Sequence, residues 1–140
     1  MILYLDTSSL VKLYVLEKGS TDIRSSVVAS VAVATSVIAY PELHSALTRK
    51  RRKRAISERE YNEIVTVFDR EWDTFLRIVV TDLLAKTAGR LSKEYSLTGA
   101  DAVHLASAVE IREKGPKDTR FFSSDGRLNA AAKKERFETN

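Results

Sequence analysis

Short apolar runs alternate along this chain with longer segments of helical periodicity, and that alternation narrows the possible folds more than any other feature. Ile2-Leu3-Tyr4-Leu5 is apolar at every position and stops at Asp6-Thr7-Ser8-Ser9. A strand without polar alternation buries both faces, as strands of parallel sheets do, and the Asp/Thr/Ser cluster after it reads as a helix start. Leu10, Leu13 and Tyr14 recur at helical spacing until Gly19, and Ser20-Thr21-Asp22 opens a helix running to about Ser30. Val31 to Thr35 is a second strand, Leu76 to Val80 a third and Arg120-Phe121-Phe122-Ser123 a fourth.

The segments between the strands are helical. Leu43, Ala46 and Leu47 share one face, with Pro41 in a first helical turn or at a local kink. Ser57-Glu58-Arg59-Glu60 is a capping-box pattern, followed by the stripe Ile64, Val67, Phe68 and Trp72. Further helices cover Asp82 to Tyr95, Thr98 to about Gly115 with the stripe Ala102, Leu105, Ala106 and Val109, and Leu128 to Lys134. Phe137 to Thr139 is a candidate short edge strand. This order predicts a single α/β domain over residues 1–140, a central mainly parallel sheet flanked by helices. The helices between residues 41 and 75 are expected to form a hairpin that projects from or covers the sheet.

A chain of 140 residues buries enough surface to fold without a staple. It has no cysteine, which excludes disulfides, thiolate zinc sites, iron–sulfur clusters and cysteine nucleophiles. Its apolar runs are too short for a signal-peptide core or a membrane helix, so the expected location is the cytoplasm.

Sites in open parallel sheets form at the carboxyl ends of the strands. Asp6 follows the first strand directly, Glu42 lies seven residues after the second, Asp101 is in the first turn of a helix, and Asp125 follows the fourth strand. Each has an ordinary explanation as a helix cap, a first-turn acid or a turn residue. None of these explains why all four gather at one end of the sheet. Carboxylates held together repel one another unless a cation compensates. Oxygen donors without Cys or a histidine cluster suit Mg2+ or Mn2+ rather than zinc. Such an ion activates water and stabilises charge on a phosphodiester, so the expected chemistry is metal-dependent phosphodiester hydrolysis.

Tyr4-Leu5-Asp6-Thr7-Ser8-Ser9-Leu10-Val11-Lys12-Leu13-Tyr14 resembles the opening of PIN-domain nucleases, especially the toxins of VapBC toxin–antitoxin pairs. Thr35-Ser36 through Glu42-Leu43, Leu97 through Ala106, and Phe122-Ser123-Ser124-Asp125-Gly126-Arg127-Leu128 match the same family in order and spacing. The resemblance implies a PIN-like three-layer domain and a Mg2+-dependent ribonuclease. By position, Asp6, Glu42 and Asp101 match the family's acidic triad and Asp125 its more variable fourth acid. Ser123 takes the small hydroxyl position before that acid, and Thr7 or Ser9 is expected to orient the ligands. An RNA substrate, a homodimer and a cognate antitoxin are implied in the same way.

His104 shares a helix face with Asp101, and its ordinary role is a packed, hydrogen-bonded histidine. His44 points to another face than Glu42 and receives no role. Lys12 lies near the expected mouth of the site, either solvated or facing phosphate. Arg49-Lys50-Arg51-Arg52-Lys53-Arg54 holds six of the 23 Lys and Arg residues, and outside it acids outnumber bases. The run is expected between helices, where Arg49, Arg51, Arg52 and Arg54 either contact RNA phosphates or form a solvated helix end. A catalytically inactive PIN-like module binding RNA or protein is the alternative function. An aspartyl-phosphate phosphotransferase fits less well, because Ser8 stands where such enzymes carry a second acid.

Overall fold

The computed structural model describes residues 1–140. Four strands form one sheet: β1 (Ile2–Leu5), β2 (Ala32–Ser36), β3 (Leu76–Ile78) and β4 (Thr119–Phe122). Their order is β3-β2-β1-β4 and every pairing is parallel. Seven helices flank the sheet: α1 (Thr7–Tyr14), α2 (Ser20–Ala29), α3 (Ala39–Arg52), α4 (Glu58–Glu71), α5 (Asp82–Tyr95), α6 (Gly99–Lys114) and α7 (Gly126–Lys134). No helix is long and apolar enough to cross a membrane.

The two-residue period of β1 builds the layers. Ile2 and Tyr4 enter one core with side chains of α5, α6 and α7, while Leu3 and Leu5 enter a second core with α1 to α4. Helices on both faces therefore explain why all four β1 residues are buried and why the strand lacks polar alternation. Capping fixes the helix starts, through Asp6 on α1, Ser57 with Glu60 in a full capping box on α4, Thr81 on α5, Thr98 on α6 and Asp125 on α7.

Four details differ from the sequence reading. β3 ends at Ile78 rather than Val80, and residues 137–139 contribute one bridge, Arg120 to Glu138, rather than a strand. Of the two arrangements expected for the α3–α4 hairpin, the one that covers the sheet is found, because Leu43, Leu47, Ile56 and Phe68 complete the second core. Of the expected α4 stripe only Phe68 is buried, while Ile64 and Trp72 pack at the core's margin. Most of the basic run is helical rather than connecting: Arg49 to Arg52 form the last turn of α3, where positive charge complements the helix dipole, and only Lys53 and Arg54 lie beyond it. The chain turns away from that helix at Arg54, which has a positive φ of 58°.

Candidate active site

A parallel sheet points every strand's carboxyl end to the same edge, and the loops there start α1, α3 and α7. A cleft of about 530 Å3 opens at this edge, and its wall includes Asp6, Thr7, Ser8, Glu42, Arg49, Asp101, His104 and Asp125. All four carboxylates singled out by sequence thus line one cleft.

Asp6 caps α1 and is only 4% exposed. Its Oδ1 accepts from the Ser9 amide at 2.9 Å and from Ser8 Oγ at 2.8 Å, and its Oδ2 accepts from Ser123 Oγ at 2.6 Å. Ser123 Oγ in turn accepts from the Asp125 amide at 2.9 Å, so one buried hydroxyl links the loops after β1 and β4. Asp125 caps α7 by accepting from the Leu128 amide, and Asp101 follows the Thr98 cap in the first turn of α6.

Glu42 is the fourth residue of α3, one turn in, with Pro41 in the first turn as its missing amide hydrogen permits. Glu42 Oε1 accepts from Thr7 Oγ1 at 2.7 Å and from His104 Nε2 at 2.7 Å. Oε2 has no protein partner in either contact. An ionised carboxylate only accepts hydrogen bonds, so Nε2 of a neutral His104 must carry the proton and Nδ1 must accept. The Tyr4 hydroxyl supplies the donor at 2.9 Å from Nδ1. Tyr4, His104 and Glu42 thus form a relay from the core to the cleft, with Tyr4 inaccessible and His104 2% exposed.

The electrostatics separate the acids. Burial acts to raise the Glu42 pKa, but hydrogen bonds from His104 and Thr7 outweigh it, and the carboxyl ends below the ordinary glutamate value. Asp101 goes the other way. Partial burial and then the charges of Asp125 and Asp6 push it above the ordinary aspartate value, against a hydrogen bond from Thr98 and the proximity of His104.

No three Asp, Glu or His side chains converge into a preformed metal cage. The donor set nevertheless fits a hard divalent cation, for two reasons. Apart from His104, whose ring nitrogens are engaged by Glu42 and Tyr4, the ligand side chains of the cleft offer oxygen, including the unpartnered Glu42 Oε2. Burial comes first in raising Asp101, and the repulsion from Asp125 and Asp6 that adds to it is an excess of negative charge that a cation would relieve.

The remaining candidates divide. Thr7 orients Glu42, and Ser123 orients Asp6. Ser9 reaches Asp6 only through its amide, and its Oγ is buried without a partner, so the expected hydroxyl role passes to Ser8. Arg49 is in the cleft wall, and Lys12 is in an adjoining one. Arg51 is instead occupied by Glu58 at 3.5 Å and by the Tyr61 ring at 4.1 Å, and Arg52 and Arg54 line neither cleft. His44 contacts Asp69 away from the acids, as its place in the sequence suggests. Sequence reasoning missed Ser8 and the contact of His104 with Glu42. The first had a signal, a hydroxyl two residues after a helix-capping aspartate.

The PIN domain family model matches residues 3–134. The chain belongs to the PIN-domain family. Two curated proteins of similar sequence come from strains of Mycobacterium tuberculosis, Ribonuclease VapC45 and Ribonuclease VapC49. Each is 32% identical over 114 residues, covering 81% of this chain and 79% of the relative. Solved structures share the fold at low identity. VapBC2 from Rickettsia felis, bound to a DNA fragment of its promoter, aligns with a TM-score of 0.65 at 13% identity, over 100% of this chain and 98% of that one. VapBC-1 from nontypeable Haemophilus influenzae aligns with a TM-score of 0.67 at 11% identity, over 100% of this chain and 97% of that one.

Proposed function

We propose that this PIN domain is a Mg2+-dependent endoribonuclease and the toxin of a type II toxin–antitoxin pair, held silent by a cognate antitoxin and acting as a homodimer. The observation that carries the reading is the gathering of Asp6, Glu42, Asp101 and Asp125 in one cleft at the carboxyl edge of the sheet. The ribonuclease names of the M. tuberculosis relatives support the RNA substrate, and the solved toxin–antitoxin complexes of similar fold support the antitoxin.

Asp6, Glu42 and Asp101 would hold the ion, with Asp125 helping directly or through water, and Mn2+ would serve in place of Mg2+. When bound, the ion would supply Lewis acidity toward the phosphate and lower the pKa of water; hydrolysis by in-line displacement would leave a 5′-phosphate and a 3′-hydroxyl. The protein's own contribution is preorganisation. Ser8, the Ser9 amide and Ser123 fix the Asp6 carboxylate, while Thr7 and His104 fix Glu42 and keep it ionised. Arg49 places one positive charge in the acidic wall, available to the substrate phosphate.

Single-turnover cleavage of RNA tests the proposal, with wild type, Asp6→Asn and Asp101→Asn each in Mg2+ and in EDTA. Wild type should cut only with the metal, and each substitution should slow cleavage at least about 100-fold, the scale of losing a metal-site group. Cleavage that survived both the substitutions and chelation would refute it.

A further inference from the structure

The acidic cleft continues into a second cleft of about 430 Å3, and Ser8, Val11 and Ala46 belong to both walls. Beyond these shared residues the second wall is mainly cationic, with Lys12, Lys18 and Lys50 around the single acid Glu17. The arrangement follows from two helix faces. On α1, Ser8 and Lys12 are four residues apart, and on α3 the row Glu42, Ala46, Lys50 repeats at the same interval. Eight residues of α3 therefore lead from an acid to a cation over about 12 Å.

Local details keep these cations available. Gly19 has a φ of +90°, and a Cβ there would approach Lys12 Nζ to 3.0 Å, so the turn before α2 leaves room for the lysine to lie across it. Lys50 Nζ is 3.1 Å from Glu17 Oε2, and both side chains are about one-third exposed. Such a pair stabilises little and exchanges readily. Lys12 and Lys18 have no carboxylate partner among the ion pairs of the chain.

A polyanion approaching four carboxylates is repelled, and cations along its path must offset that repulsion. The second cleft supplies them in direct continuity with the acids, whereas Arg52 and Arg54 do not adjoin it. We propose that Lys12, Lys18 and Lys50 form a subsite for an RNA phosphodiester flanking the one that is cut. The proposal rests on the nuclease reading above. Even at the stacked rise of ~3.4 Å per nucleotide, the span of about 12 Å corresponds to only three to four nucleotides, so the subsite reads backbone close to the cut and adds no base preference.

The test is binding of a fluorescent RNA hexanucleotide in EDTA, at several KCl concentrations, in an Asp101→Asn background that does not cut. Lys12→Gln and Lys50→Gln should each weaken binding about three- to tenfold at low salt and reduce the slope of log affinity on log salt by about 0.7. Glu17→Gln frees Lys50 and should tighten binding, an effect that a merely structural Glu17–Lys50 pair would not produce. Arg52→Gln with Arg54→Gln should change affinity less than twofold. An unchanged salt slope in the Lys12→Gln, Lys50→Gln double variant overturns the subsite. So does a double variant that loses only its binding to a polyglutamate peptide, which would assign the lobe to an acidic protein segment. Failure of the nuclease reading looks different: binding would depend on the lysines, but the chain with native Asp101 would not cut RNA in Mg2+.

Discussion

Replacing Tyr4 by Phe removes one inaccessible hydroxyl and leaves the ring packed 5.4 Å from Phe121 in a stacked geometry. The lost hydrogen bond is the 2.9 Å contact to His104 Nδ1, which would then be a buried acceptor without a donor. A buried partner left unsatisfied costs about 1–3 kcal/mol, and the shape of the core is otherwise kept, so about 1–2 kcal/mol is expected. For a domain of this size that corresponds to a fall in Tm of about 3–8 °C. His104→Leu should cost more, because it also removes the donor to Glu42, a bond worth about 1 kcal/mol with Glu42 35% exposed. The assay is urea unfolding at pH 7 of both single variants and the double variant. The two changes share one hydrogen bond, so the double should be less destabilised than the sum of the singles by about 1 kcal/mol. Strict additivity, or a Tyr4→Phe cost below about 0.5 kcal/mol, would refute the relay from Tyr4 through His104 to Glu42.

Ser123→Ala removes the donor to Asp6 and the acceptor for the Asp125 amide; it should cost about 1–3 kcal/mol in unfolding and slow RNA cleavage without abolishing it. Asp101→Asn should stabilise the metal-free protein while disabling cleavage. The folded pKa of Asp101 is raised, so its protonated form is favoured by folding and its charge costs stability once pH exceeds that raised value. Thermal melts should therefore show the gain at pH 7, and it should shrink as pH falls through the raised pKa toward 3.8. Glu42 has the opposite sign: its lowered pKa gives stability above the ordinary glutamate value of 4.5 that is lost as pH falls through the folded value, so Glu42→Gln should narrow the acid stability range. Phe68→Ala, at a fully buried position touching Tyr14, Tyr40, His44 and Trp72, should cost about 3–5 kcal/mol by denaturant unfolding.

The strands and the acids were readable from the sequence for the same reason, since both depend on local pattern. An unbroken apolar run such as Ile2 to Leu5 has few interpretations, and an acid immediately after it is placed by the sheet's polarity without further information. Residues 49–54 were misplaced because composition does not mark where a helix stops. The first four residues of the positive run suit the end of α3, and the helix stops at Arg52, with Lys53 as its cap and Arg54 in the turn beyond. Sequence spacing alone allows Thr7 or Ser9 as the orienting hydroxyl, and only the turn after Asp6 decides that Ser8 Oγ faces its carboxylate while Ser9 Oγ does not. The Tyr4–His104–Glu42 relay joins residues separated by 100 and 62 positions, a separation that no local periodicity encodes. The same holds for the lysine cleft, which exists only because α1, the connection after it and α3 meet in space.

Calorimetric titration of the purified protein with Mg2+ asks most directly whether the four acids are gathered to hold a cation. Wild type should bind the ion with a measurable heat, Arg52→Gln should bind it equally, and Asp6→Asn and Asp101→Asn should each weaken it by about 10- to 100-fold or abolish it. Identical isotherms for wild type and both aspartate variants would contradict the proposed site.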